Sequence, residues 1–341
     1  MPTNSPHGPA SSPPDLSAYR LPSETAVQIF ESEILAAEFV HLSRHAATCA
    51  SRPLAVLAVG QTGAGKTRLS PAILSAMRLV RRGGPAHLIA DTYKTYHPYY
   101  ARLMLSAPHL ASAATGPDAR KWLAMAAEEV TRRELDVLVE SACRHPDDFE
   151  DLVRIFSGAG YRVEVVLLAV PAPLSRLGIL VRYYEKLPEG QSGSLPLRLT
   201  PERVHDESYG GLVDAAEFLD RSGLADQILV VRRGNMVAHG FVKGQVDESR
   251  ITEMLKMERE RPLTRDERES ALDDLAKLGI LGQANDQVAS VRDILARMIL
   301  EGDGQNGDKQ RVTWPELQPL TFGKAGQKAE GTHNVLRLGQ I

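Results

Sequence analysis

Eight consecutive residues, Gly60-Gln61-Thr62-Gly63-Ala64-Gly65-Lys66-Thr67, carry the most specific chemistry in the chain. They spell G-x-x-x-x-G-K-T, the phosphate-binding loop that follows a strand and opens a helix. Its glycines let backbone N–H groups converge on a β-phosphate without side-chain interference. Lys66 brings a charge to the β- and γ-phosphates, and Thr67 brings a hydroxyl for Mg²⁺. The helix beginning there adds its positive end. The setting is the required one, with the apolar run Leu54–Val59 before the loop and a helical stretch from Thr67 to about Arg82 after it. The motif points to ATP or GTP with Mg²⁺. It does not by itself separate a kinase from an ATPase or a switch.

Charged residues at the ends of other apolar runs extend the site. Asp91 closes the run His87–Ala90 and Glu140 closes Asp136–Val139. Ligands of open α/β sheets bind beyond the carboxyl ends of the strands, so both carboxylates are expected near the phosphates. A carboxylate at Asp91 can take the proton of a hydroxyl that attacks the γ-phosphate. Glu140, with Ser141 and Arg144, suits hydrogen bonding to sugar or ribose hydroxyls. Further on, Arg182 falls in a predicted helix after the fourth strand, and Arg198 follows the flexible stretch Gly190–Ser194. A helix and mobile loop carrying arginines resembles the lid of a small-molecule kinase, where they neutralise charge on the transferring phosphoryl group. His97 and His205 read as structural or substrate-shaping, because no metal-ligand spacing surrounds them.

The elements that must hold these residues alternate. A helix is predicted from Ser23 to about His45. Strands are predicted at 54–59, 87–90, 136–139, 162–170 and 227–231. Helices are predicted at about 67–82, 117–133, 146–159 and 201–222. Strands alternating with helices predict an α/β fold, a P-loop NTPase-type parallel sheet with helices on both faces. Residues 1–20 read as a disordered tail, 21–240 as the kinase domain, 241–300 as a helical C-terminal extension and 301–341 as a flexible tail. In the extension, Thr264-Arg265-Asp266-Glu267 has capping-box form, and a last helix is predicted over Asp286–Leu300.

The charge balance is slightly acidic, −3 at pH 7, which argues against a general nucleic-acid surface. No apolar run approaches the length needed to cross a bilayer, and the N-terminus lacks the layout of a secretion signal. The two cysteines, Cys49 and Cys143, are far apart and suit a reducing compartment, so a cytoplasmic location is expected.

Order and spacing of the motifs over residues 25–240 resemble the zeta toxin family of P-loop kinases. The matching stretches are GQTGAGKT at 60–67, IADTYKTYHP at 89–98, LVESACRHP at 138–146, AVPAPLSRLGILVRYYE at 169–185 and RLTPERVHD at 198–206. The resemblance implies transfer of a phosphoryl group from ATP or GTP, with Mg²⁺, to the 3′-hydroxyl of the amino sugar in UDP-N-acetylglucosamine. By position it implies that Lys66 and Thr67 hold phosphate and metal, and that Asp91 is the general base. Glu140, Arg144 and Glu128 then become sugar-nucleotide contacts, and Arg182 and Arg198 grip the phosphates. It also implies an antitoxin protein as a partner. One position departs: the family often has a hydroxyl residue two places after the substrate-binding Glu, and here Ala142 stands there. That leaves other acceptors open, such as NAD or an antibiotic. A non-enzymatic, nucleotide-dependent interaction module is the remaining alternative.

Overall fold

The computed structural model describes residues 15–42, 52–81, 84–192, 198–244, 250–280, 286–303, 315–323 and 333–339. Five strands form a parallel sheet: β1 (Leu54–Val59), β2 (Ala86–Ile89), β3 (Val137–Ser141), β4 (Arg162–Leu168) and β5 (Gln227–Arg232). Their order is β2-β3-β1-β4-β5. The chain therefore winds to one side of β1, then crosses back to the other, and β1 lies at the point where the direction reverses.

β1 and β4 are buried along their whole length. Their residues nonetheless divide by face. Ala55, Leu57 and Val59 join one core with Val137, Val139, Val163 and Val165. Leu54, Val56 and Ala58 join the other with Leu138, Val166 and Leu168. Both faces are apolar because helices cover both. The first core is closed by α1 (Ser23–Ile29, prolonged by wider π-type turns over Phe30–Phe39), α5 (Pro108–Arg132), α6 (Pro146–Gly158) and α8 (Glu202–Ser222). The second is closed by α2 (Lys66–Arg81) and α7 (Ala172–Ser192). Between β2 and α5 lie two short helices, α3 (Ala90–Tyr93) and α4 (Tyr100–Ser106).

The predicted α/β sheet is therefore present, and three details differ. The first helix ends at Phe39 instead of near His45; residues 43–51, with Cys49, lie outside the described residues. α5 starts nine residues before Pro117 and carries that proline in its interior. An interior proline costs a helix about 3 kcal/mol, and burial of Ala111, Ala114, Ala119 and Trp122 on one face offsets it. Residues 190–192, read as part of a flexible stretch, belong to α7, while 193–197 lie outside the described residues.

The chain beyond residue 240 is part of the same body. Strand β6 (Met236–Val242) runs antiparallel to β5 through a turn in which Gly234 and Asn235 have φ of 76° and 58°. α9 (Ile251–Glu260), α10 (Arg265–Ile280) and α11 (Asp286–Asp303) follow, the last two packing Ala271, Leu278, Val291 and Leu295 into the second core with Leu177 and Leu180 of α7. The predicted capping box forms: Thr264 N–H donates to Glu267 Oε2 at 3.0 Å and Glu267 N–H to Thr264 Oγ1 at 3.2 Å. Within the stretch expected to be a tail, β7 (Gln318–Pro319) pairs with β6, and β8 (Thr321–Phe322) with β9 (Val335–Leu336). Residues 1–14 lie outside the described residues. Among the described residues no helix is long and apolar enough to cross a membrane.

Candidate active site

Three adjacent strands converge on the site. The loop leaves β1 at Gly60, whose N–H donates to Ser141 O at the end of β3 at 3.1 Å. Glu140 is in register with Ala58 of β1 and Ile89 of β2. Asp91 lies two residues past Ile89, in the first turn of α3. Neighbouring parallel strands are about 4.8 Å apart, so the two carboxylates and the loop are brought to one edge of the sheet by strand pairing alone.

They open on one cleft of about 1160 Å³. Thr62 to Thr67, Asp91, Glu140, Arg144, Arg182 and Arg198 all line it. Drug-sized ligands take sites of about 300–1000 Å³, and this cleft lies just above that range. Gly60 and Gln61 sit beneath the loop and are buried. Glu128 is not brought in: it is exposed, and the part of α5 that reaches the cleft is around Arg120. The last residue of α5 to line the cleft is Leu123, and at 1.5 Å per residue Glu128 lies about 7.5 Å further along the helix. Glu128 is therefore not among the predicted residues that the cleft brings together.

The loop has the backbone its glycines predict. Gly63 adopts φ of 81° and Gly65 φ of 110°, values in the left-handed range open to glycine. A Cβ on Gly63 would also lie 2.0 Å from Ser175 O of α7. Lys66 Nζ donates to Gly60 O, and lies 3.4 Å from Gln61 O. Burial pushes this ammonium down to about 8, against the pull of Glu140, Cys143 and Asp91, and Arg182 pushes the same way as burial.

Asp91 Oδ1 accepts a hydrogen bond from Lys94 Nζ at 2.5 Å, and Lys94 also donates to Ser112 Oγ at 3.0 Å. Its carboxylate is open to solvent within the cleft, 83% exposed. Enclosure by the cleft walls pushes its pKa upward, but Lys94, Lys66 and Arg198 outweigh that and hold it below the ordinary value. Glu140 pairs with His87 Nε2 at 2.9 Å. Burial there raises the carboxyl, and His87 and Lys66 bring it below its usual range. Both carboxylates are thus ionised at neutral pH. Arg144 Nε donates to Glu207 Oε2 at 2.6 Å. Burial and the nearby Arg144 lower the pKa of Arg198, while Asp91 and Tyr100 pull it the other way.

Residues not foreseen from the sequence complete the walls. Lys94 has a signal in its spacing, three residues after Asp91. Arg233, at the end of β5, donates to Gly63 O at 2.8 Å and to Leu174 O at 2.7 Å, tying the loop to α7. The strand-end reasoning that found Asp91 would have found it. Arg120 pairs with Asp148 at 3.1 Å on the cleft wall. His97 and His205 are buried, His97 against Asp118 and His205 against Ser175.

The family model for zeta toxin matches residues 41–240, more than half of the chain. The chain belongs to the zeta toxin family. Toxin PezT of Streptococcus pneumoniae serotype 4 is 26% identical over 185 residues, 53% of this chain and 69% of that protein. Toxin zeta of Enterococcus hirae is 25% identical over 181 residues, and the match spans 61% of its length. A solved structure from the PezAT chromosomal toxin–antitoxin system of Streptococcus pneumoniae superposes with a TM-score of 0.62 at 18% identity, covering 77% of this chain and 98% of that one. The likeness extends to the fold at that level of identity.

Proposed function

We propose that the chain is a phosphotransferase that moves the terminal phosphoryl group of ATP or GTP to a hydroxyl of a sugar nucleotide, of the class of the 3′-hydroxyl of the amino sugar in UDP-N-acetylglucosamine. The observation that carries this reading is the convergence of Asp91 with Lys66, Arg182 and Arg198 on one cleft. A nucleotide switch has no use for a base facing its phosphates.

In this reading the loop N–H groups and Lys66 hold the donor's phosphates. Asp91 orients the acceptor hydroxyl and takes its proton as oxygen attacks phosphorus. Arg182 and Arg198 stabilise the charge spread over the transferring group, a contribution that positioning and fixed charge supply without a covalent intermediate. Glu140 and Arg144 hold the acceptor. Thr67 would hold a magnesium ion through its hydroxyl, and the ion would supply neutralisation of the charge that develops on the donor phosphates. Among the described residues no group of three His, Cys, Asp or Glu forms a metal cage. Mg²⁺ is commonly held by few protein ligands and by substrate phosphates, so the Thr67 hydroxyl in the loop is proposed as its protein ligand. Ala142 lines the acceptor side between Glu140 and Arg144, so acceptor identity is the part of the proposal a hydroxyl there would have strengthened. A proteinaceous antitoxin partner is proposed on the family membership.

The test is incubation with ATP or GTP, Mg²⁺ and a panel of sugar nucleotides, dinucleotides and aminoglycosides, read by mass shift. Gain of one phosphate on the sugar nucleotide, abolished by Asp91→Ala and Lys66→Ala, supports it. Phosphorylation of another acceptor class corrects the substrate, and full activity of Asp91→Ala overturns the base assignment.

A further inference from the structure

The second residue of the phosphate loop turns its side chain away from the cleft. Gln61 is fully buried, and its Nε2 donates to Val170 O at 2.7 Å and to Ser175 Oγ at 3.2 Å. Its Oε1 accepts from Arg259 Nη2 at 3.0 Å. A donor-only guanidinium on one side and a carbonyl on the other leave the amide one orientation. Arg259 belongs to α9, beyond the residues that the family model matches. Its other contacts are Tyr209 O at 2.8 Å and the Tyr209 ring, whose centroid is 3.9 Å from the guanidinium carbon.

Arg259 is 4% exposed. Among the described residues no carboxylate pairs with it, and its buried Nε has no hydrogen-bond partner. This contrasts with two other buried arginines, Arg261 and Arg232. Arg261 is held bidentately by Glu267 at 2.6 Å for both bonds, and Arg232 is paired with Glu258. Burial lowers Arg259 to about 10, which still leaves it charged at neutral pH. An unpaired buried charge is strongly unfavourable, and its field is weakly screened at short range. The anions nearest in purpose are those for which the loop in front of it is built.

We infer that Arg259 is a positioning residue of the phosphate site, supplied by the C-terminal extension. Through Gln61 it fixes the start of the loop, and its charge, which no carboxylate among the described residues neutralises, stands behind the loop as a cation additional to Lys66, Arg182 and Arg198. The same network reaches the lid. Ser175 Oγ, which Gln61 touches, also bonds His205 Nε2 at 2.8 Å, and Thr62 N–H donates to Ser208 Oγ at 3.3 Å. Ser175 lies on the helix that carries Arg182, and His205 and Ser208 on the helix after Arg198. Loop and lid are therefore set against one another by contacts that α9 completes.

This inference rests on the loop binding a polyphosphate, and the test separates the two. Calorimetric titration with ATP and with inorganic tripolyphosphate, which has no base or sugar, is made on the full chain and on Lys66→Ala, Arg259→Lys, Arg259→Met, Gln61→Leu and Gln61→Leu/Arg259→Met. Circular dichroism confirms folding of each. Arg259→Met is expected to weaken both ligands about tenfold. Arg259→Lys, which keeps the charge without the fork, should restore part of the loss. The double variant should lose less than the sum of the single losses, as for residues in contact. A folded Arg259→Met that binds tripolyphosphate as the parent does overturns the inference. Should Arg259→Met not fold, Arg259→Lys decides: weaker tripolyphosphate binding supports the inference, and parental binding overturns it. Parental binding by Lys66→Ala would instead overturn the reading of the loop.

Discussion

Asp91 and Lys94 form an ion pair at 2.5 Å, one turn apart at the end of β2, with the carboxylate facing the cleft and the ammonium anchored on Ser112. The pair holds the proposed base ionised and aims it. Lys94 is the leading attraction keeping Asp91 below its ordinary pKa. Its removal in Lys94→Met raises that pKa. A base works deprotonated, so the acid limb of the kcat/KM profile moves to higher pH, while the alkaline side stays in place. A pH–rate series on the phosphoryl transfer measures this, and an acid limb that stays put removes Lys94 from the account.

Glu258 sits at the centre of the contacts that attach α9 to the sheet. It is fully buried, pairs with Arg232, lies 3.2 Å from Arg261 and 3.4 Å from His239. Burial pushes this carboxyl up, but His239, Arg232 and Arg261 pull it down to about 2. Removing one partner of a buried pair strands the other, so Glu258→Ala should lower unfolding stability by about 3–5 kcal/mol in urea titrations at pH 7. The sign with pH follows from a depressed carboxylate. Its stabilisation is complete above the ordinary value of 4.5 and disappears as pH falls through about 2. The deficit of the variant should therefore shrink as the titrations are repeated from pH 5 downward.

Acceptor-side assignments made by position divide cleanly. Arg144 lines the cleft and is braced by Glu207, whereas Glu128 is exposed outside it. Arg144→Ala should raise KM for the acceptor by tenfold or more, on the order of 1.4 kcal/mol of lost binding, and leave ATP affinity near the parental value. Glu128→Ala should leave both within about twofold, as surface substitutions away from special features do. Steady-state kinetics with donor and acceptor varied in turn distinguish them.

The five parallel strands were legible because each carries a largely apolar run, unbroken in β1 where both faces are buried, and Asp91 and Glu140 were legible because they follow such runs. β6 was not, since Met236–Val242 includes His239 and Gly240 and its register with β5 breaks between Val230 and Val231. β7 to β9 are two residues each, too short to show any period. Arg259 has no local signal at all: it meets Gln61 across 198 positions, a contact only the tertiary fold can reveal. Glu128 lies outside the cleft lining, because its position in a long helix was carried over without a fixed phase.

The two left-handed glycines of the loop allow a last separation, between the loop's fold and its ligand. Both Gly63 and Gly65 would be strained by a side chain, at about 1–3 kcal/mol each. Only at Gly63 would the added methyl meet the backbone of α7, 2.0 Å from Ser175 O, whereas at Gly65 nothing lies within 4 Å. Gly63→Ala must therefore shift the loop against α7, and it should lose both thermal stability and ATP binding. In Gly65→Ala the methyl points into open space, so the loss of stability should stay within the range of backbone strain. ATP binding should fall more than that loss of stability can account for, because the loop N–H groups are turned from their convergence. Melting curves with and without ATP compare the two: stabilisation by ATP absent in both, with the smaller fall in melting temperature for Gly65→Ala, is the expected pattern. Equal destabilisation of the two variants would show that the contact with Ser175 does not govern the loop.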